Sequence, residues 1–314
     1  MSTSRWIKCI STQGSIRGIA IQATDLAREL ADMHGLKGLG ARGLGEAAVA
    51  ALLVSSYCKN GERINLNIRG SGHYSQALVD AYPDGKLRGY VVERTLSADE
   101  RMRISEEGPW GEGLLSILKT KDQEGQQPYI GTVPLLTGHL AKDLTFYWFQ
   151  SEQVPSAVGI AVEMNGDRIE SAGGFLVQAM PGASPAEVKM IEQHIQDIHS
   201  LSQEFVKSAD PIQVLSKIFQ STAFIVVEER PLVFHCQCSW DRVKKALILV
   251  GADELRAMLK EEEQAVVRCD FCSKDYSVDR KMLESLIEMT TGGRTDGTGG
   301  GQEGAPSGDR SDLH

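Results

Sequence analysis

The sequence predicts an α+β protein: a large N-terminal domain of mixed helices and strands, then a helical linker, then a small cysteine-bearing C-terminal domain. Three observations carry that expectation. Short alternating segments are interleaved with helical patterns up to about residue 182, as in an α+β domain. A single apolar stripe at helical spacing follows. Four of the six cysteines then fall within residues 236–272.

Residues 15–22, SIRGIAIQ, alternate apolar and polar as a half-buried strand does. Thr24 or Asp25 is placed to cap the helix that LARELADMH continues. The glycine-rich HGLKGLGARGLG reads as a flexible loop. Its Gly38-Leu39-Gly40-Ala41-Arg42-Gly43 fits G-x-G-x-x-G, but a dinucleotide site needs a strand immediately before it, and here a helical pattern stands there. Ala47 to Cys58 reads as a buried helix. Strand-like segments follow at 64–70, 87–93 and 113–119, separated by Gly, Pro, Asn and Asp turns. Residues 139–153 are helical in pattern and stop before Pro155. The segments 157–164 and 171–179 form a strand pair around Asn165-Gly166-Asp167, and the first domain is expected to close near Gly182.

Ser184-Pro185-Ala186-Glu187 has the form of a capping box with proline at the first helical position. Val188, Ile191, Ile195, Ile198, Leu201 and Phe205 then recur at steps of three or four, predicting one amphipathic helix over 185–205. Asp210-Pro211 opens a second short helix, IQVLSKIFQ. The expected divisions are 1–182 for the α+β domain, 183–232 for the linker, 233–290 for the cysteine module and 291–314 for a disordered, glycine-rich tail.

Composition is ordinary for a soluble protein, with 41% hydrophobic and 24% charged residues. The absence of an eighteen-residue apolar run predicts no membrane span, and the start MSTSRWIKC lacks the apolar stretch of a secretory signal. A cytoplasmic location is therefore expected, where clustered cysteines signal metal or redox chemistry. A formal net charge of −9 argues against a general nucleic-acid binder. No acid–base pair, nucleophile arrangement or phosphate loop stands out, which counts against an ordinary enzyme.

Cys236-Gln-Cys238 is followed, after residues 239–268, by Cys269-Asp-Phe-Cys272. Four thiolates suit tetrahedral zinc, and each close pair lets neighbouring sulfurs reach one ion from a tight turn. Two helical stretches joined at Gly251 can fold back so that the pairs meet. The C-x-C half is unusual for a zinc ribbon, and the spacing alone leaves a structural role and a redox role both open. The redox reading has a physical logic. Zinc holds sulfurs as thiolates, the form that oxidants attack, and disulfide formation removes the ligands. Structural zinc contributes ~10–16 kcal/mol in finger peptides, against ~5–15 kcal/mol of net stability for a whole domain. Loss of the ion should unfold so small a module.

The arrangement C-x-C-x₃₀-C-x₂-C, together with IRGIAIQATDLARELADMH, PYIGTVPLLTGHLAKDLTFYWFQSEQVPS and ESAGGFLVQAMPGAS, resembles the 33-kilodalton heat-shock protein family, redox-regulated holdase chaperones. The likeness spans nearly the whole ordered chain. It implies one zinc per chain held by Cys236, Cys238, Cys269 and Cys272 in a reduced, inactive state, and disulfides Cys236–Cys238 and Cys269–Cys272 in an oxidised, active one. It also implies a linker that loosens when the zinc-binding C-terminal domain unfolds. The partners implied are unfolded or oxidatively damaged clients and ATP-dependent refolding chaperones, with no nucleic acid and no membrane; a homodimer on activation is compatible. Under this resemblance the stripe Val188–Phe205 has two readings, a covered client-binding face or a helix that transmits unfolding elsewhere. The glycine-rich insert and the long tail depart from the family pattern.

Two other functions fit the sequence less well. A thiol–disulfide oxidoreductase would place C-x-x-C at the start of a helix beside a βαβ unit, whereas Cys269 and Cys272 sit in a turn-rich stretch. A zinc-finger nucleic-acid binder would need a basic module, and residues 239–290 carry nine Lys or Arg against eleven Asp or Glu. His235 reads as a strand-end residue, Trp240 as packing of the small module, and Cys9 and Cys58 as buried small hydrophobes.

Overall fold

The computed structural model describes residues 3–59, 61–121, 127–208, 210–261 and 264–292. They fall into two compact units, Met1–Cys236 with Asp270–Ser273, and Gln237–Cys269 with Lys274–His314. The mixed α+β architecture is the one the sequence predicts.

The first unit holds two sheets. One is antiparallel throughout and comprises β1 (Arg5–Ser11), β2 (Ile16–Gln22), β8 (Ser156–Asn165), β9 (Arg168–Ala179) and β10 (Phe224–Pro231), in the order β10-β1-β2-β9-β8. The other comprises β3 (Glu62–Gly70), β4 (Tyr74–Ala81), β5 (Lys86–Glu93), β6 (Gly113–Lys121), β7 (Tyr129–Leu135) and β11 (Val233–Phe234), in the order β11-β5-β4-β3-β6-β7. Among the described residues, only β11 joins its neighbour, β5, in parallel. The helices of this unit are α1 (Thr24–Met33), α2 (Gly38–Ser55), α3 (Ala98–Glu107), α4 (Leu140–Tyr147), α5 (Pro185–Gln196), α6 (Leu201–Lys207) and α7 (Ile212–Phe219).

Helix α2 is apolar nearly all round, so only a fully enclosed position suits it. Its Ala and Leu run shares one core with Ile19 and Ile21 of β2, Ile64, Leu66 and Ile68 of β3, and Leu176 of β9. Among the described residues it is the one helix long and apolar enough to cross a membrane, and it is buried inside this unit. The glycine-rich stretch is not the flexible loop expected: it forms the first turns of α2. The glycines there have a packing reason. A Cβ on Gly43 would lie 2.4 Å from the Tyr74 ring, and one on Gly40 would lie 2.5 Å from the Glu93 carboxylate. Bare backbone lets strands of the six-stranded sheet approach the helix.

Other local expectations need correction. The N-cap of α1 is Ala23; Thr24 instead donates to Gln22 Oε1 at 2.7 Å, and Asp25 accepts from the Thr3 backbone at 2.8 Å. Ser184 does cap α5, accepting from the Glu187 backbone, with Pro185 at the first position. The Glu187 carboxylate turns away to accept from Ser15 Oγ. The stripe expected as one helix over 185–205 is two, α5 and α6, with a break over residues 197–200 where Ser200 caps α6. A polar cap competes with the continuing helix, and the stripe survives the break because tertiary burial holds it. Ile191 and Phe205 are buried, and Val188, Ile195, Ile198 and Leu201 pack partly buried on the same cluster, against Ile7, Ile16 and Phe175 of the five-stranded sheet. Residues 139–153 are helical as expected, with a π-helical turn at Trp148–Glu152 after α4.

The second unit contains α8 (Trp240–Val250), α9 (Ala252–Glu261), the antiparallel pair β12 (Gln264–Arg268) and β13 (Asp275–Asp279), and α10 (Arg280–Gly292). Gly251 separates α8 from α9 at φ +100°, a conformation L-residues rarely adopt. Its core is small: Val243, Leu247, Leu255, Tyr276, Val278, Leu283 and Leu286. The disordered tail expected after residue 290 lies, beyond Gly292, outside the described residues.

Candidate metal centre

Cys236 owes its place to β11. That strand pairs with β5 through Val233–Lys86 and Phe234–Leu87, and the His235 backbone donates to Leu87 O at 2.8 Å. The next residue is thereby delivered beside Arg88, whose Nη1 lies 4.0 Å from Cys236 Sγ. Three residues after Cys236, Ser239 caps α8, accepting from the Arg242 backbone at 3.3 Å, so Cys238 stands just before a helix start.

The second pair comes from the turn between β12 and β13. The Cys269 backbone donates to Lys274 O at 2.9 Å, closing the knuckle, and Ser273 takes a left-handed φ of +55°. Tyr276 on β13, almost fully buried, donates its hydroxyl to Cys238 Sγ at 3.0 Å. The Trp240 ring meets the Tyr276 ring edge-on at 5.1 Å, the packing role expected of it.

Each of Cys236, Cys238, Cys269 and Cys272 is half-buried and in thiol form, and their sulfurs all lie within 4.8 Å of one another. A tetrahedral zinc with bonds of ~2.3 Å requires sulfurs about 3.8 Å apart. Sulfurs gathered within 4.8 Å of one another are close enough to share one such ion. The donor set is all-sulfur, which favours a soft or borderline divalent ion and leaves no open position for substrate. The four cysteines singled out from the sequence are thus brought together, and His235 is not in the group. Sequence reasoning missed Arg88 and Tyr276, which donate to the sulfurs.

Cys9 and Cys58 lie elsewhere. Burial pushes the Cys9 thiol up to about 12 and the Cys58 thiol up to about 11, so both stay protonated and inert near neutrality.

Comparison with known proteins bears on this geometry. The family described as Hsp33 protein matches residues 4–279. The chain belongs to the Hsp33 family. The resemblance drawn from the cysteine spacing is borne out. Relatives of this Hsp33 chaperone include the 33 kDa chaperonin of Halalkalibacterium halodurans, 31% identical over 287 residues, which covers 90% of this chain and 98% of the relative. The 33 kDa chaperonin of Enterococcus faecalis is 32% identical, covering 90% and 95%. The crystal structure of the 33 kDa chaperonin (heat shock protein 33 homolog) from Thermotoga maritima superposes with a TM-score of 0.83 at 28% identity, over 93% of this chain and 100% of that one.

Proposed function

We propose that this Hsp33 family member is a redox-regulated holdase, inactive when reduced and zinc-bound, and active once its four cysteines are oxidised. The observation that carries the reading is the gathering of four thiols within 4.8 Å in a chain of a chaperone family. Bound zinc would hold the sulfurs as thiolates and tie the ends of the small module together. Cys236, Cys238, Cys269 and Cys272 are its ligands in this reading. Oxidation joins Cys236 to Cys238 and Cys269 to Cys272. Each pair gives up two electrons to a peroxide, which takes two protons and leaves as two waters.

Bridges over such short loops restrain the chain little, so they do not replace the metal as a staple. The module, 233–290, then unfolds, and the linker, 183–232, loosens from the α+β domain, 1–182. Apolar surface so uncovered binds unfolding clients and prevents their aggregation, and the clients pass to an ATP-driven chaperone. No catalytic step is assigned to the chain, and its expected place is the cytoplasm.

The test measures zinc release and suppression of client aggregation together, before and after peroxide with mild heat. One zinc per reduced chain, lost in step with the gain of holdase activity, is the expected result. Cys238→Ser should bind zinc much more weakly, since a hydroxyl is a poor substitute for a thiolate. Full zinc retention in that variant, or holdase activity unchanged by oxidation, would overturn the reading. Peptide mapping should find the two short bridges rather than Cys238–Cys269.

A further inference from the structure

The environment of Cys236 is built on the six-stranded sheet. Asn65, Asp80 and Arg88 stand directly opposite one another on β3, β4 and β5. Strand alternation puts them on the face away from Leu66, Val79 and Leu87, which point into the core. Asn65 Nδ2 donates to Asp80 Oδ1 at 2.8 Å, and Arg88 Nε and Nη2 both donate to Asp80 Oδ2, at 2.8 and 2.7 Å. The two charged side chains are 11% and 5% exposed, so this ion pair is held rigidly and shielded from water. With two of its nitrogens committed, Arg88 turns the third, Nη1, to the Cys236 sulfur.

The Cζ of the same guanidinium lies over the Phe271 ring, 4.1 Å from its centroid. Phe271 also meets Tyr90 edge-on at 5.5 Å, and Tyr90 shares the face of Arg88 because it is two residues further along β5. On the other side of the knuckle, Ser273 Oγ lies 3.3 Å from His34 Nδ1, while His34 Nε2 lies 3.0 Å from Gly89 O. One arginine therefore touches a sulfur of the C-x-C pair and the ring inside the C-x₂-C pair.

We propose that Arg88 is a positioning residue of the metal centre, anchored by Asp80, that orients the Cys236 sulfur by hydrogen bonding and the Cys269–Cys272 knuckle by stacking on Phe271. This goes beyond the functional reading above and rests on it. A divalent ion with four thiolates carries a net charge of −2, and a half-buried dianion needs donors aimed at it. Arg88 presents the positive end of a fixed ion pair; Tyr276 supplies a second donor, to Cys238. Lysine can take over only in part, because a point ammonium has neither the fork that serves Asp80 and sulfur together nor the plane that stacks on a ring. Once Cys236 enters a disulfide its sulfur is no longer an anionic acceptor, and Arg88 loses one of its two holds on the cysteines.

The test is competition for zinc between a chromophoric chelator and the reduced full-length protein. The variants are Asp80→Asn with Arg88→Met, compared with Asp80→Asn alone so that no buried carboxylate is left unpaired, together with Arg88→Lys and Phe271→Leu. Removing an outer donor to a metal ligand costs ~10–100-fold in affinity, so the double variant should fall at least tenfold below Asp80→Asn. Arg88→Lys should lie between them, and Phe271→Leu should lose several-fold. A second readout separates positioning from general stability: mass mapping of limiting peroxide oxidation should show Cys236 reacting earlier relative to Cys269 in the double variant, with the thermal unfolding of the first unit followed in parallel. Zinc affinity within twofold of the parent in both the double variant and Phe271→Leu, with tight zinc in the unaltered protein, overturns the role of Arg88 alone. If the double variant does not fold, Phe271→Leu decides, since its half-buried ring leaves the Asp80–Arg88 pair intact. An unaltered protein that binds no zinc overturns the functional reading as well.

Discussion

Cys9 and the quartet show one side chain in two settings. Cys9 is enclosed on β1 against Gly18 and Phe219, and burial raises its thiol to about 12, partly offset by the Gly18 backbone. The shift also carries a linkage consequence. Burial favours the neutral form, so the contribution of Cys9 to stability is complete below its ordinary value of 9.0 and is lost as pH rises toward 12. Alkylation of the reduced, chelator-treated protein near pH 8 should therefore label the four clustered cysteines first. Cys58 should follow slowly, and Cys9 only on global unfolding. Mass mapping checks the order; native-state labelling of Cys9 at the rate of Cys236 would contradict the burial argument.

At the scale of elements, α5 docks on the five-stranded sheet beside an open cavity. Its stripe packs on the five-stranded sheet, yet Val188 at its start borders a cavity of about 790 Å³ that Pro155 and Met180 also line. An amphipathic helix of this length is marginal alone and owes its order to packing. Ile195 sits in the partly buried margin of that contact. Burying even a neutral polar group without a partner costs ~1–3 kcal/mol, and an unpaired carboxylate costs more, enough to shift a docking equilibrium of a few kcal/mol. Ile195→Glu should accelerate amide exchange across 185–196 without loss of zinc, and should suppress aggregation of a heat-denatured client while still reduced. Faster exchange without holdase activity would mean that undocking α5 is insufficient. Ile195→Ala then distinguishes a spoiled client surface from a missing second event, because it weakens docking without adding charge. The break between α5 and α6 sharpens the design, since exchange over 201–207 reports a separate helix.

At the scale of the molecule, the two units differ in what sustains them. The first encloses α2 in a large core shared by both sheets, whereas among the described residues the second has a core of seven buried side chains. A unit with so small a core needs a staple, and under the proposed function four sulfurs on one ion are that staple. Chelation of the reduced protein should therefore open the second unit selectively. Limited proteolysis should cut within 237–292 and leave a resistant fragment ending near Cys236. Uniform resistance after complete zinc removal, or simultaneous loss of both units, would refute this unequal dependence.

The cysteine quartet was legible in the sequence because metal ligation is a local pattern: two close pairs in turns, with a spacer long enough to fold back. The strands of the α+β unit were legible wherever one face is buried, as in Ile64, Leu66 and Ile68 of β3, because alternation follows from the pleat. Other features depended on what lies across space. The glycines of α2 look like a loop until Tyr74 and Glu93 are seen against them. The stripe looks like one helix until Ser200 is seen to cap the second. Arg88 is an ordinary arginine in a strand until pairing in register sets it opposite Asp80, and β11 lays Cys236 at its side. Sequence alone determined which atoms can hold a metal, since that is the chemistry of four residues. Tertiary structure decided which groups surround them, since strand register joins residues that are distant in the chain and leave no mark on its local pattern.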